Sequence, residues 1–321
     1  MEESRVDIVE IADKVQQIKD EIGKIIVGQK EVVDLILSCV LADGHILLEG
    51  VPGVAKTFMA KIISKLIDAK FSRIQFTPDL MPSDVLGTTV FNMQTSAFDF
   101  HAGPVFGNMI LVDEINRAPA KTQAALFEAM EERQITVDGK TYQMDAPYTI
   151  IATQNPVEQE GTYRLPEAQL DRFMMKITVG YPDVEDGLEI LRRHQQKADF
   201  TDVSSLTPFI SKEEVLSLRQ QAAGILVDDS LLRYIVEIVE QTRNSRAVFL
   251  GASPRATVAI LKCSRAYALI NGRDFVTPDD IKYVSPYVLQ HRIILTAEAE
   301  MEGYTPIKVA RLLIDKVEVP Q

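Results

Sequence analysis

The stretch Leu47–Phe58 reads LLEGVPGVAKTF: a short apolar run, a glycine-rich turn, then a lysine and a threonine. That order of residue types suits phosphate. The N–H groups of such a turn and of the helix start after it point at an anion. A lysine adds positive charge at the β- and γ-phosphates, and a threonine hydroxyl serves Mg²⁺. Gly50, Lys56 and Thr57 match the pattern G-x-x-x-x-G-K-[ST], but Ala55 stands where the second glycine is usual. The residue before the lysine opens the helix, so right-handed backbone is expected there, and alanine adopts it without strain. Glycine is needed earlier, where the chain turns or approaches the ligand closely, and Gly50 and Gly53 are present. The expected nucleotide-contacting set is Gly50, Val51, Pro52, Gly53, Val54, Ala55, Lys56, Thr57 and Phe58. Alone, this stretch also reads as an ordinary turn between a strand and a helix, so it needs support elsewhere.

The support is MILVDE at 109–114, an apolar strand ending in two acids. A buried strand does not end in paired carboxylates without partners. Asp113 at the tip can hold Mg²⁺ through water, and Glu114 can orient and polarise an attacking water. The fourth strand runs into ATQNP at 152–156, where the amide of Asn155 can hydrogen-bond both a γ-phosphate and that water. Two arginines extend the set. LPEAQLDRF carries Arg172 at the end of a short helix, and GASPRA carries Arg255 in the first turn of another. Arginine stabilises charge that builds on phosphoryl oxygens. Each of these residues has a plain alternative: an acidic turn, an Asn-Pro loop start, a solvated surface arginine. Their joint presence after successive strands favours the chemistry.

These side chains need a scaffold, and the hydrophobic pattern supplies one. Runs at 45–49, 71–76, 109–113, 148–152 and 174–179 read as strands, with helical periodicity between them at Thr57–Ile67 and Ala120–Glu132. Five strands alternating with helices predict an α/β fold with a parallel, doubly wound sheet. Ile8, Ile11, Val15, Ile18, Ile22 and Ile25 predict a leading amphipathic helix that stops near Gly28, followed by a second at Glu31–Leu41. Two hairpins interrupt the plan, at about 91–106 and at 133–144. The second turns on Asp138-Gly139. After Pro182 only helix signals remain, with capping at Ser211, Thr277 and Thr305. The expected division is a nucleotide-binding domain over 1–183 and an all-α lid over 184–321.

Composition narrows the function. The 321 residues are 46% hydrophobic and 25% charged, ordinary for a globular protein, with a net charge of −12. That balance argues against a duplex nucleic-acid binder, which needs a basic face. Cys39 and Cys263 are far apart in sequence and read as core residues of a reducing compartment. His45, His101, His194 and His291 have no ligand spacing, and Glu128, Glu131 and Glu132 read as the solvated face of a helix. No apolar run reaches membrane-spanning length, and the charged start MEESRVDIVE is unlike a secretory signal, so a cytoplasmic protein is expected.

Together these motifs resemble the MoxR branch of the AAA+ ATPases. The resemblance rests on IIVGQ, LLEGVPGVAKT, TPDLMPSDVLG, VDEINRAPAKTQAALFEAMEERQITVDG, ATQNP, LPEAQLDRF and GASPRA, and spans nearly the whole chain. It implies a P-loop AAA+ core with a C-terminal helical lid. It also implies Val27 and Gly28 at the adenine, Asn155 as sensor 1, Arg172 as arginine finger and Arg255 as sensor 2. Alanine before the P-loop lysine is normal in that branch. The two hairpins would be its helix-2 and pre-sensor-1 inserts. The resemblance further implies an Mg²⁺-dependent ATPase that assembles as a homo-oligomeric ring, a hexamer, and remodels partner proteins, often ones with von Willebrand factor A domains. A finger arginine beside the fifth strand does not reach its own phosphate, which favours supply by a neighbour. Three alternatives stay open: a metal-insertion motor subunit resembling magnesium chelatase, a nucleic-acid motor, and an ATP-controlled switch without turnover. Whether Arg255 acts in cis or in trans is open too.

Overall fold

The computed structural model describes residues 8–51, 53, 54, 56–156, 162–195 and 207–320. Pro52 and Ala55, two members of the expected phosphate set, lie outside the described residues, and so does the conformational argument about Ala55.

Five parallel strands form the central sheet: β1 (Ile46–Glu49), β2 (Phe71–Gln75), β3 (Met109–Asp113), β4 (Thr149–Gln154) and β5 (Met175–Thr178). Their spatial order is β5-β1-β4-β3-β2. Side chains alternate across the sheet, and both faces are buried. Ile46 and Leu48 of β1, with Leu111 of β3, enter one core. Leu47, Ile110 and Val112 enter the other. This explains why the strands read as unbroken apolar runs rather than as alternating ones.

The second core is closed by α4 (Ala120–Glu132), whose Phe127 meets Phe173 edge to face at 5.8 Å. The first core is larger. It holds α1 (Ile8–Ile25), α2 (Lys30–Leu41) and α3 (Lys56–Leu66). It continues without a break into the C-terminal helices α6 (Lys212–Ala223), α7 (Asp229–Asn244), α8 (Pro254–Ile270), α9 (Pro278–Leu289) and α10 (Pro306–Ile314). The boundary near residues 181–186 therefore separates element types, while buried side chains form one cluster across it. Sequence cannot show this, because amphipathic helices state which face they bury and not against what. At the boundary lies α5 (Val184–Gln195), which has no buried residue.

A polar latch fastens the helical part to the sheet. Arg292, after α9, is 3% exposed in its side chain. Its Nε donates to Asp171 Oδ1 at 2.6 Å and its NH2 to the carbonyl of Phe173 at 2.8 Å. His291 Nε2 meets the same carbonyl at 2.9 Å, and Ser253 Oγ donates to Asp171 Oδ2 at 3.1 Å. A buried guanidinium needs such a set of acceptors to offset its desolvation.

Both expected hairpins are present. The first pairs Gly87–Asn92 with Ala97–Ala102, so it begins four residues before the aromatic signal at Phe91. Thr88 and Thr89 gave no apolar pattern because one face of that ribbon is exposed. The second pairs Gln134–Val137 with Lys140–Gln143, and Asp138 and Gly139 both take positive φ, as a type I′ turn requires. Phe100 of the first hairpin stacks on Tyr142 of the second, with ring centroids 4.1 Å apart. The helix starts at Ser211 and Thr277 carry reciprocal caps with Glu214 and Asp280. Cys39 and Cys263 are buried and unbridged.

Candidate active site

The C-terminal ends of β1, β2, β3 and β4 open into a cleft of about 390 Å³, the edge at which open α/β sheets take ligands. Its floor is the turn after β1 and the start of α3. The turn needs glycine at position 50. A Cβ there would sit 2.5 Å from the carbonyl of Val179, so the backbone could not pass so close to β5 with a side chain. Gly53 takes φ +86°, open to glycine and strained for others. α3 begins at Lys56, which directs the unpaired N–H groups and positive end of that helix into the cleft. Val54, Lys56, Thr57 and Phe58 line it, while Val51 packs into the first core instead. Lys56 Nζ rests on the carbonyls of Gly50 and of Gln154, the latter at 3.4 Å.

Asp113 is the centre of the opposite wall and is 4% exposed. Its Oδ1 accepts from Thr57 Oγ1 at 2.9 Å and Thr153 Oγ1 at 3.3 Å, and its Oδ2 accepts from Arg73 Nε at 2.7 Å. Two hard oxygens, Thr57 Oγ1 and Asp113 Oδ1, thus face each other at hydrogen-bond distance across the cleft. That donor chemistry fits a small divalent cation.

Glu114 follows with φ 55° and ψ 51°, left-handed backbone that costs a non-glycine residue about 1–2 kcal/mol. Its N–H donates to Thr153 Oγ1 at 3.0 Å. Its carboxylate accepts from Gln75 Nε2 at 3.1 Å and pairs with Arg117 Nε at 3.0 Å. The kink turns Glu114 out of the β3 plane, so two successive acids serve two places: Asp113 toward Thr57, Glu114 toward the cleft mouth. Asn155 is buried at the end of β4 and lines the same cleft.

The remaining expected residues lie elsewhere. Val27 and Gly28 sit in the connection from α1 to α2, and Gly28 packs so tightly under Asp186 of α5 that a Cβ would meet its carboxylate at 1.9 Å. Arg172 and Arg255 do not line the cleft. Arg172 NH1 donates to the Phe127 carbonyl at 2.9 Å and to Glu131 Oε2 at 3.1 Å, and Arg255 NH2 donates to Glu131 Oε1 at 2.7 Å. Glu131 is thus not a merely solvated residue, as its neighbours in sequence suggested. It bridges two arginines from distant parts of the chain.

Sequence reading missed Arg73, Gln75, Thr153 and Gln154 in the cleft, and Arg117 as a partner of Glu114. Arg73 and Gln75 carried a weak signal, polar residues two apart in an otherwise apolar strand, which places them on one face beside Asp113. Thr153 precedes Asn155 by two and faces the same way. Arg117 gave no signal.

The comparisons agree with this geometry. Residues 45–175 match the model for the ATPase family associated with various cellular activities, AAA, and residues 240–311 match the AAA lid domain. Chaperone MoxR1 of Mycobacterium tuberculosis is 43% identical over 315 residues, covering 94% of this chain and 81% of its own. The chain is a MoxR-family AAA+ ATPase. This MoxR-family chain is also 47% identical to the uncharacterized protein YeaC of Bacillus subtilis over 301 residues, 94% of this chain and 93% of that one. A crystal structure of a candidate ATPase from Cytophaga hutchinsonii superimposes with a TM-score of 0.88 at 43% identity, covering 98% and 97% of the two chains. The fold, a P-loop α/β core with a helical lid, and the ATP-hydrolysing class follow from these matches. No helix among the described residues is long and apolar enough to cross a membrane.

Proposed function

We propose that this ATPase works as a Mg²⁺-dependent, cytoplasmic homohexameric ring that remodels partner proteins, with each nucleotide held by one subunit and completed by the next. The observation that carries the reading is the split between the two polar centres. Lys56, Thr57, Asp113, Glu114 and Asn155 share one cleft, whereas Arg172 and Arg255 meet at Glu131, outside its lining.

ATP phosphates would lie against Gly50–Val54, the start of α3 and Lys56. Thr57 would hold the metal directly and Asp113 through water, and Mg²⁺ when bound neutralises charge on the β- and γ-phosphates. Glu114 accepts the proton of the attacking water, and its contacts to Gln75 and Arg117 fix where its carboxylate points. Asn155 orients that water. Arg172 and Arg255, presented at a surface, supply positive charge to the phosphate of a neighbouring subunit. Val27 and Gly28 contact the adenine side.

The client is a protein, by analogy with the chaperone name of the mycobacterial relative, and partners with von Willebrand factor A domains belong to the same reading. The coupled hairpins at 87–102 and 134–143 are the contact surface. Phe91, Met93 and Phe98 are exposed at the first of them, which suits peptide better than a phosphate backbone. The direct test is ATP turnover by assembled protein with and without Mg²⁺. Turnover that needs the metal and is lost in Lys56→Ala supports the reading, and no ATP binding by calorimetry refutes it. Deleting Thr136–Thr141 leaves ATP binding intact and uncouples the client. Strong salt-sensitive stimulation by DNA would replace the protein client with nucleic acid.

A further inference from the structure

We propose that Glu131 is a positioning residue for hydrolysis: it locks Arg172 and Arg255 into one unit that is presented to the neighbouring subunit's nucleotide. The inference rests on the intersubunit reading above and adds a residue to it.

Three observations carry it. Each carboxylate oxygen takes its own guanidinium, Oε2 from Arg172 and Oε1 from Arg255, so one side chain holds both arginines at once without their competing for an acceptor. The two arginines come from opposite sides of the boundary, one between a short helix and β5, the other in the first turn of α8, and Glu131 is their common partner. The backbone electrostatics are asymmetric as well. Glu131 lies in the last turn of α4, a place that favours cations, and Arg172 NH1 contacts both it and the Phe127 carbonyl one turn earlier. Arg255 lies at the N-terminal end of α8, a place that disfavours a cation. An anion from α4 offsets that penalty and draws Arg255 toward Arg172.

An exposed ion pair alone contributes little to stability. Its role here is geometric. Arg172 spends NH1 on α4, and Arg255 spends one nitrogen on Glu131, which fixes the direction of the remaining donors. Arg172 Nε has no hydrogen-bond partner, so the group is not fully satisfied by its own subunit. Because Glu131 lies outside the cleft, its loss alters hydrolysis without altering how a subunit holds its own nucleotide.

The test compares Glu131→Ala, Glu131→Gln, Arg172→Ala and Glu114→Gln in full-length assembled protein. Glu131→Ala is expected to lower kcat by about tenfold to a hundredfold with KM for ATP within about twofold. Glu131→Gln, isosteric but with one accepting oxygen, keeps one arginine and releases the other, so it recovers part of the loss and guards against a folding artefact. In subunit mixing, Glu131→Ala behaves as a finger defect: it regains turnover with Glu114→Gln and gains none with Arg172→Ala. Wild-type kcat in Glu131→Ala, where Arg172→Ala is inactive, overturns this proposal and leaves the intersubunit reading standing. Full activity in both overturns the two together. Loss of ATP affinity in step with kcat, or rescue by Arg172→Ala, assigns Glu131 to its own subunit's site and also overturns the proposal.

Discussion

The cleft above the sheet and the arginine junction at Glu131 are both polar centres at the ends of strands, yet they are built differently. In the cleft, acids and bases balance within one subunit. Asp113 has Thr57, Thr153 and Arg73, Glu114 has Gln75 and Arg117, and a helix N-terminus faces the gap between them. The junction instead gathers two cations on one carboxylate, backed by the buried latch of Asp171 and Arg292. The first arrangement suits the phosphates and metal proposed above. The second has surplus positive charge and lies outside the cleft of the first. The difference is the ground for the proposal that hydrolysis is divided between subunits, one surface holding the nucleotide and another acting on it.

The comparison can be broken most forcefully in the cleft. Lys56→Ala removes the one cation aimed at the phosphates from the loop, and turnover should fall by at least about a thousandfold together with ATP affinity measured by calorimetry. Glu114→Gln should keep ATP affinity and lose about a hundredfold or more in kcat, because an amide is a poor base. A parallel loss of affinity in that variant would mean that the carboxylate holds the nucleotide instead.

The junction should break in stability first. Arg292→Ala removes a buried guanidinium and leaves the half-buried Asp171 without its main partner, and urea unfolding should show a loss of about 2 kcal/mol. An unchanged midpoint would remove the latch from the account.

A last effect, gradual rather than all at once, comes from pH. His45 is buried, donates from Nε2 to the Met130 carbonyl, and accepts the N–H of Ile150 at Nδ1. Burial, and then the nearby Arg133 charge, lowers its pKa to about 4. The unfolded chain therefore binds a proton near pH 6.5 that the folded chain refuses until about pH 4. The contribution is full above the unfolded pKa and is lost as pH falls through that window, about 1.4 kcal/mol for each pH unit. Burial lowers His291 as well and steepens the same slope. His45→Phe should flatten stability between pH 6.5 and pH 4, and an unaltered slope would assign the acid sensitivity to other groups.

The scaffold and the near side of the cleft were readable from sequence because both follow local rules. Apolar runs marked the five strands, Asp138-Gly139 marked a hairpin turn, and Ser211 with Glu214 marked a helix start. Lys56 and Thr57, at the helix start after β1, and Asp113 and Glu114, at the end of β3, were legible for the same reason: side-chain type and order there carry the chemistry. What escaped reading depends on contacts across the chain. Arg73 matters only because β2 lies beside β3. Glu131 looked like one acid among three, and its partners come from the turn before β5 and from α8. The shared core behind the sheet was hidden too, since periodicity in α2, α6 or α8 does not say which helix lies against which.

The most direct test of a divided site is ATP turnover in mixtures of Arg172→Ala and Glu114→Gln subunits, with mixed assemblies verified by differential tagging. Each variant alone should be nearly inactive. Mixed together, some interfaces join an intact Glu114 to an intact Arg172, and turnover should reappear in proportion to those interfaces. Verified mixed assemblies with no recovery would contradict the account and place Arg172 in the service of its own subunit.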